Sequence, residues 1–487
     1  MELSTLLHVT MFLPLVAVVG ILLFRNQPNI RDGISLLAGV LVFACVLAIY
    51  RQFMSGEDVD INWVEILPGL SLSFSLESLG LLFALIAGFL WPVTTLYAIG
   101  YMRGHHEKNQ TRFYVFFAIA IVTVFAIAFS ANLFTLFVFY EVLTLCTYPL
   151  VTHAGTDKAK QGGRVYLGIL LSTSILMFLL AMITTWAIAG TLTFTSGGIF
   201  PEGTPVWLLS ILLALYVFGI GKAAIMPFHR WLPAAMVAPT PVSALLHAVA
   251  VVKAGVFTLL KVCVFVFGLE VLPSLPATQW LIYLAGLTIV LASLVAMRKD
   301  NLKARLAYST IGQLAYITLG ALVATELAIV GSAMHIAMHA FGKITLFFCA
   351  GAVMVACHKT EVSQMAGLGK AMPVTMTAFL VASVSIIGLP PGGGTWSKWY
   401  LIWGSLEAGQ QLMVVALLVS SLLNIAYLLP IPLQAFWGSS DTNVESSSQL
   451  KEAPMPSLIA LVITAFMTLV LFVYPNGVYD LANRING

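Results

Sequence analysis

Apolar runs of about twenty residues recur from one end of this chain to the other, and that repetition leaves few folds open to it. A run of that length crosses a bilayer as an α-helix, because only a helix satisfies every backbone donor and acceptor within the segment itself. The runs lie near residues 6–24, 33–53, 79–101, 113–130, 133–153, 165–190, 206–227, 241–267, 279–297, 305–323, 327–357, 373–405, 411–434 and 456–474, which makes fourteen spans. The expected fold is an all-α polytopic membrane protein, a single membrane domain over residues 1–487. No basic segment precedes the first run and no small-residue cleavage site follows it, so it is read as a retained helix. Only Glu57–Ser78 carries a β-signal: Pro68-Gly69 at its middle and alternation over Leu70-Ser71-Leu72-Ser73-Phe74-Ser75 give the pattern of a short hairpin outside the bilayer.

A chain 60% hydrophobic and only 9% charged has kept few charges, so each one inside an apolar span calls for a reason. Six such residues stand out: Glu141, Lys222, Lys253, Lys261, Lys343 and Lys398. A net charge of +3 gives no argument for nucleic acid as a partner. Cys45, Cys146, Cys263, Cys349 and Cys357 are odd in number and lack CxxC spacing, so neither a disulfide framework nor a thiolate metal or iron–sulfur site is indicated, and no cofactor is expected.

Basic residues collect on the cytoplasmic side of membrane proteins. Under the fourteen-span map one side receives 16 of the 23 basic residues, the other receives only Arg51 and Arg484, and five are the intramembrane lysines. The sparse side also takes Glu57, Asp58, Asp60, Glu65, Glu202 and Glu270. Both termini are therefore expected on the non-cytoplasmic side of a bacterial inner membrane, in a multi-pass arrangement within the lipid bilayer.

Three spans hold helix-breaking residues in their interiors. The seventh contains Gly219, Gly221, Lys222 and Pro227; the twelfth contains Gly388, Pro390, Pro391, Gly392, Gly393 and Gly394; the eleventh is about thirty residues long with Gly331, Gly342 and Gly351 along it. Broken helices at membrane depth are tolerated where they are buried in protein or line a hydrated cavity. The first two breaks each lie within a few residues of a lysine, Lys222 and Lys398, and five spans separate them. This suggests an internal repeat: spans 4–8, about residues 113–267, against spans 9–13, about 279–434, the odd number of helices inverting the second copy.

Glu141 has apolar neighbours for a turn on both sides; packing or snorkelling competes with a switchable pairing to Lys222, in which moving either partner changes the charge of both. A lone lysine in hydrocarbon costs on the order of 3 kcal/mol, so Lys222 and Lys253 in consecutive spans argue for a hydrated interior and for proton exchange. His247, six residues before Lys253, is a natural carrier. His335, His339 and Lys343 recur every four residues and share one helix face, as a proton wire or as an i,i+4 histidine pair for a metal. The metal reading lacks a zincin glutamate and a third ligand. Lys398 follows the second break, where Trp396, Trp399 and Tyr400 could also serve as interfacial anchors, whereas Lys261, nearer its helix end, reads as a snorkelling lysine. The Gly219-Ile220-Gly221-Lys222 string lacks the Ser/Thr and the preceding strand of a phosphate loop.

These residues, in this order, resemble the antiporter-like subunit family shared by respiratory complex I, membrane-bound hydrogenases and Mrp-type Na⁺/H⁺ antiporters. The resemblance covers nearly the whole chain and is carried by Phe139-Tyr140-Glu141, by Gly221-Lys222 through Pro227, His229 and Pro233, by Ala238 through His247, by Leu302 through Gln313, and by Gly388-Leu389-Pro390-Pro391. It implies fourteen helices with two inverted five-helix repeats. It also implies a proton path through Glu141, Lys222, His247, Lys253, His335, His339, Lys343 and Lys398 along a central axis, with half-channels to the two faces. Within the family the D-type Mrp subunit is the first expectation, ahead of a quinone-linked or hydrogenase-linked homologue; Gly394-Thr395-Trp396 departs from the Gly-Phe-like pair usual before the twelfth-helix Ser-Lys. The implied function is a proton-translocating subunit of a multisubunit Na⁺/H⁺ antiporter, a transporter component rather than an enzyme, with other subunits, H⁺ and Na⁺ as partners. The competing readings are a non-redox, proton-pumping subunit of an NADH:quinone oxidoreductase or membrane-bound hydrogenase, and a scaffold with a vestigial polar axis.

Overall fold

The computed structural model describes residues 2–438 and 451–486. Twelve helices among them are long and apolar enough to cross a membrane, and two broken crossings complete the fourteen. In chain order these are α1 (Leu3–Leu23), α2 (Pro28–Met54), α3 (Ser78–Gly104), α4 (Gln110–Ala128), α5 (Leu133–Val151), α6 (Asp157–Ala189), α7 (Val206–Gly219), α8 (Thr240–Phe267), α9 (Pro276–Arg298), α10 (Leu302–Val323), α11 (Glu326–Cys357), α12 in two halves (Pro373–Ile387 and Gly394–Glu407), α13 (Gln411–Trp437) and α14 (Met455–Val473). Every apolar run read from the sequence corresponds to one of them. A further short amphipathic helix, α15 (Asn476–Asn483), folds back to bury Leu481 and Ala482 against α3 and α11. Residues 439–450, between α13 and α14, lie outside the described residues.

Local chemistry sets several boundaries. Asn132, Thr156, Asn301 and Thr325 each accept a hydrogen bond from a first-turn amide, capping α5, α6, α10 and α11. Burial then sorts the helices. The most apolar stretch of α8 is wholly buried and that of α10 is 94% buried, against 33% in α2 and α6. The innermost helix, α8, carries Lys253 and Lys261, both fully buried. Peripheral α1 instead exposes Val16, Val19 and Leu23, an apolar face suited to lipid.

Outside the crossings, β1 (Asp60–Leu67) and β2 (Leu70–Ser75) form the expected antiparallel hairpin, with Gly69 at φ +79° in its turn. It is fastened to the start of α5, where Asn132 Nδ2 donates to Ser71 O at 2.9 Å and to Ser73 Oγ at 2.7 Å.

The seventh and twelfth crossings break where their glycines and prolines stand. α7 stops at Gly219, and the chain passes through a 3₁₀ turn at Gly221–Ala223, the turn holding Pro227 and a short helix at Trp231–Ala234 before α8 begins. α12 stops at Ile387, Gly388 takes the left-handed conformation at φ +90°, and Pro390 and Pro391 lie between the halves. The eleventh crossing, α11, is one unbroken helix of 32 residues despite the glycines along it. Its glycines are contact points: a Cβ at Gly331 would meet the backbone of Leu401, and one at Gly351 would meet Tyr97 and Thr240. An interruption the sequence does not mark lies in α8, where Val249 and Ala250 leave the helix and the Ala250 amide reaches back five residues to Leu245 O at 2.9 Å.

Candidate functional site: a buried polar axis

Lys222 occupies the 3₁₀ turn just past α7 and is fully buried. Its Nζ donates to Tyr140 O at 2.7 Å and to Thr144 Oγ1 at 2.6 Å, and stands 3.1 Å from the centroid of the Tyr140 ring. The Lys222 amide also donates to the Tyr140 hydroxyl at 3.2 Å, while Trp231 Nε1 donates to Gly221 O at 2.9 Å and fixes the turn. Glu141, the next residue of α5, carries two buried oxygens without a hydrogen-bond partner. It is near enough to act on Lys222 electrostatically, yet the two form no ion pair among the described residues. The reason is helical geometry: successive side chains diverge by about 100°, so Tyr140 and Thr144, one turn apart, receive the ammonium and Glu141 points past it.

From Lys253 onward the axis is held by direct contacts. Lys253 Nζ lies 2.6 Å from His339 Nδ1, joining α8 to α11. The His339 and His335 rings stack at 5.9 Å. His335 in turn hydrogen-bonds Gln313 Oε1 through Nε2 at 3.0 Å and Ser397 Oγ through Nδ1 at 2.8 Å. Since Gln313 Oε1 only accepts, a neutral His335 carries its proton on Nε2 and leaves Nδ1 as an acceptor facing the Ser397 hydroxyl, for whose one proton Gly394 O at 3.1 Å competes. Lys398, adjacent to Ser397, donates to Ile387 O at 2.9 Å and Ser421 Oγ at 3.1 Å, with its Nζ 4.8 Å from the Tyr316 ring centroid. Lys343 Nζ lies 2.5 Å from Ser309 Oγ.

His247 stands apart from its sequence neighbour Lys253, and Lys261 departs from expectation. His247 lies on the other side of the α8 interruption, where Nδ1 bonds Thr310 Oγ1 at 3.0 Å and the ring packs on Phe347 at 4.4 Å. Between Lys222 and Lys253 the link is packing, because Gly255 brings α8 against the Lys222 backbone where a Cβ would collide. Lys261 does not snorkel. It is wholly buried, ion-paired to Glu77 at 2.7 Å and donating to Ser130 O at 2.7 Å, because α3 and the segment before α5 cover the end of α8 that the sequence leaves open to water. Both His335 nitrogens are engaged, and among the described residues no three His, Cys, Asp or Glu side chains gather to hold a metal.

The sequence does not mark as receivers the polar residues that bind these groups: Tyr140, Thr144, Ser309, Thr310, Gln313, Tyr316, Ser397 and Ser421. One signal was available, since Ser309, Gln313 and Tyr316 stand at i, i+4 and i+7 on one face of α10.

A cavity of about 620 Å³ opens among residues of the Lys/Arg-rich side, including His105, Glu107, Lys158, Lys303 and Glu361. Thr240, Lys303 and Ala350 also line it, each seven residues along its helix from His247, Thr310 and Lys343 respectively. Two turns of helix, about 10 Å, therefore separate this cavity from the buried polar groups.

Over residues 130–424 the chain matches the family described as "NADH:quinone oxidoreductase/Mrp antiporter, TM". It is 33% identical over 422 residues to NADH-quinone oxidoreductase subunit N of Desulforudis audaxviator, covering 85% of this chain and 82% of that protein. It is also 33% identical to a component of a probable K⁺/H⁺ antiporter of Rhizobium meliloti, covering 76% of this chain and only 37% of that longer protein. Its fold matches a chain of the Mrp complex from a Dietzia species with a TM-score of 0.83 at 20% identity, over 98% of this chain and 97% of that one.

Proposed function

Because the chain belongs to the NADH:quinone oxidoreductase/Mrp antiporter transmembrane family, we propose that it is the proton-translocating subunit of a multisubunit Na⁺/H⁺ antiporter, embedded in a bacterial inner membrane with both termini on the non-cytoplasmic side. The observation that carries this reading is the series of buried contacts from Lys253 to His339, from the His339 ring to the stacked His335 ring and from His335 to Ser397, the neighbour of Lys398, which crosses α8, α11 and α12 within the protein interior. The 16-to-2 division of basic residues supports the orientation, and the exposed apolar faces leave room for lipid and for companion subunits.

The chemistry follows from hydrogen-bond inventory. Lys253 donates to His339 Nδ1, so a neutral His339 holds its proton on Nε2. A proton arriving from Lys253 at Nδ1 gives an imidazolium, and the Nε2 proton, which has no hydrogen-bond partner among the described residues, leaves to a water molecule and restores the neutral ring. The ring passes one proton and returns to a neutral state. His335, bonded to Ser397, offers the next such step toward Lys398. At the other end Lys222 has two alternative receivers on α5, the Tyr140–Thr144 pocket and the Glu141 carboxylate, and its choice between them sets the charge that Lys253 faces.

The two breaks support the proposed inverted repeat of α4–α8 and α9–α13. Each break lysine lies over a tyrosine, Tyr140 of α5 or Tyr316 of α10, five crossings apart, and each donates to one carbonyl and one hydroxyl.

The test is ΔpH-driven transport in vesicles containing the assembled complex. Lys253→Ala is expected to lower the rate about a hundredfold, the scale on which a positioned proton-transfer group acts. A wild-type rate in that variant, with the complex intact, would remove the axis and leave the scaffold reading. The similarity to an NADH-quinone oxidoreductase subunit N along most of that protein's length favours a second reading, a redox-driven complex using the same axis. Co-purification separates the two: small antiporter subunits belong to the first, flavin or iron–sulfur subunits to the second.

A further inference from the structure

We infer that Ser309 and Tyr427 are positioning residues for Lys343, a pair of hydroxyls branching from the axis toward α13 that receives the lysine's ammonium and reverses its hydrogen bonds when the lysine gives up its proton. The inference rests on the proposed role of Lys343 in proton transfer. Lys343 Nζ lies 2.5 Å from Ser309 Oγ; the Tyr427 hydroxyl lies 2.7 Å from the same oxygen and also hydrogen-bonds Asn424 Oδ1. All four side chains are buried.

Counting protons fixes the polarity of this chain. Each hydroxyl has one proton, the amide oxygen of Asn424 can only accept, and an ammonium can only donate. With Lys343 charged, the bonds run from Lys343 to Ser309, to Tyr427, to Asn424, and each of the two hydroxyl protons finds an acceptor. A neutral amine has a lone pair, so the chain can then run from Tyr427 to Ser309 to Lys343. The reversal turns two O–H groups and moves no heavy atom.

The surroundings make this pair decisive for Lys343. The charged and titratable groups that bear on it are His247 and Lys253 on α8, His335 and His339 on its own helix, Lys398 on α12 and Tyr427 on α13, with Arg305 one turn from Ser309 on α10. None of these is a carboxylate. Among the described residues Ser309 is the hydrogen-bond acceptor for the Lys343 ammonium, and Tyr427 with Asn424 polarises that hydroxyl in the direction an ammonium requires.

The experiment compares Ser309→Ala, Tyr427→Phe and Lys343→Ala in the assembled complex, measuring ΔpH-driven transport across a pH series together with the amount of complex formed. Ser309→Ala and Tyr427→Phe are each expected to lower the rate about tenfold and to move the alkaline limb of the pH profile to lower pH, because the charged lysine loses its acceptor chain. An unmoved profile in both, whether the rate is wild-type or falls only in step with complex assembly, overturns the inference. If Lys343→Ala abolishes transport while the other two match wild type, the branch alone is wrong. Wild-type transport in Lys343→Ala removes the axis reading and this inference with it.

Discussion

At the α7 break Lys222 stands 3.1 Å from the centroid of the Tyr140 ring, whereas at the α12 break Lys398 stands 4.8 Å from that of Tyr316. Lys222 precedes its proline and reaches across to a carbonyl of another helix, α5; Lys398 follows its prolines and reaches back to Ile387 O, the end of its own first half. Gly388 is shaped around this second arrangement, since a Cβ there would press on the Lys398 side chain. The residue after Tyr140 is Glu141, and the residue after Tyr316 is Ile317. One break therefore offers its lysine a change of partner on a neighbouring helix. The other ties its lysine to the terminus it caps and connects it, through Ser397, to His335. On the proposed function the first break sets charge and the second passes protons onward.

The largest expected effects test whether both breaks matter at all. Lys222→Ala and Lys398→Ala should each lower transport about a hundredfold in an intact complex. Loss at one break alone, measured by ΔpH-driven transport, would show that only one of the two serves the axis. Next in size, Glu141→Gln removes the charge that only the first break possesses while keeping its shape. A drop of about tenfold is expected. Unchanged transport would make Tyr140 and Thr144 the sole receivers of Lys222 and erase the distinction between the breaks.

How much of this could be read from residues alone depends on what kind of signal each feature leaves. The fourteen crossings are legible because apolar runs are long, and the breaks at Pro227 and at Pro390-Pro391 because proline removes a donor. The interruption of α8 at Val249-Ala250 leaves no such mark. Its consequence, the separation of His247 from Lys253, was correspondingly invisible. Lys261 was misjudged because its burial comes from Glu77 and Ser130, 184 and 131 positions away in the chain. The hydroxyl partners were hidden for a different reason: a Ser or Thr in an apolar helix ordinarily bonds the carbonyl one turn back, as Thr144 does to Tyr140 O at 3.2 Å, so its presence says nothing about what else it faces. Charged residues announce themselves in such a chain, and the groups that receive them do not.

The smallest expected effect separates what the two tyrosines do with their hydroxyls. Tyr140→Phe keeps the ring beneath Lys222 and removes the acceptor of the Lys222 amide, leaving a buried N–H without its partner and loosening the 3₁₀ turn that holds the lysine. That is worth about 1 kcal/mol, or roughly a fivefold loss of transport. Tyr316→Phe also keeps its ring, but the hydroxyl it loses donates to Leu417 O at 3.0 Å on α13 and meets Lys398 only through Ser421, which stands beside both. Its effect should appear as a lower melting temperature of the complex, with transport within about twofold of wild type. If instead both variants slow transport equally at equal stability, the two tyrosines hold their lysines in the same way, and the asymmetry between the breaks reduces to Glu141 alone.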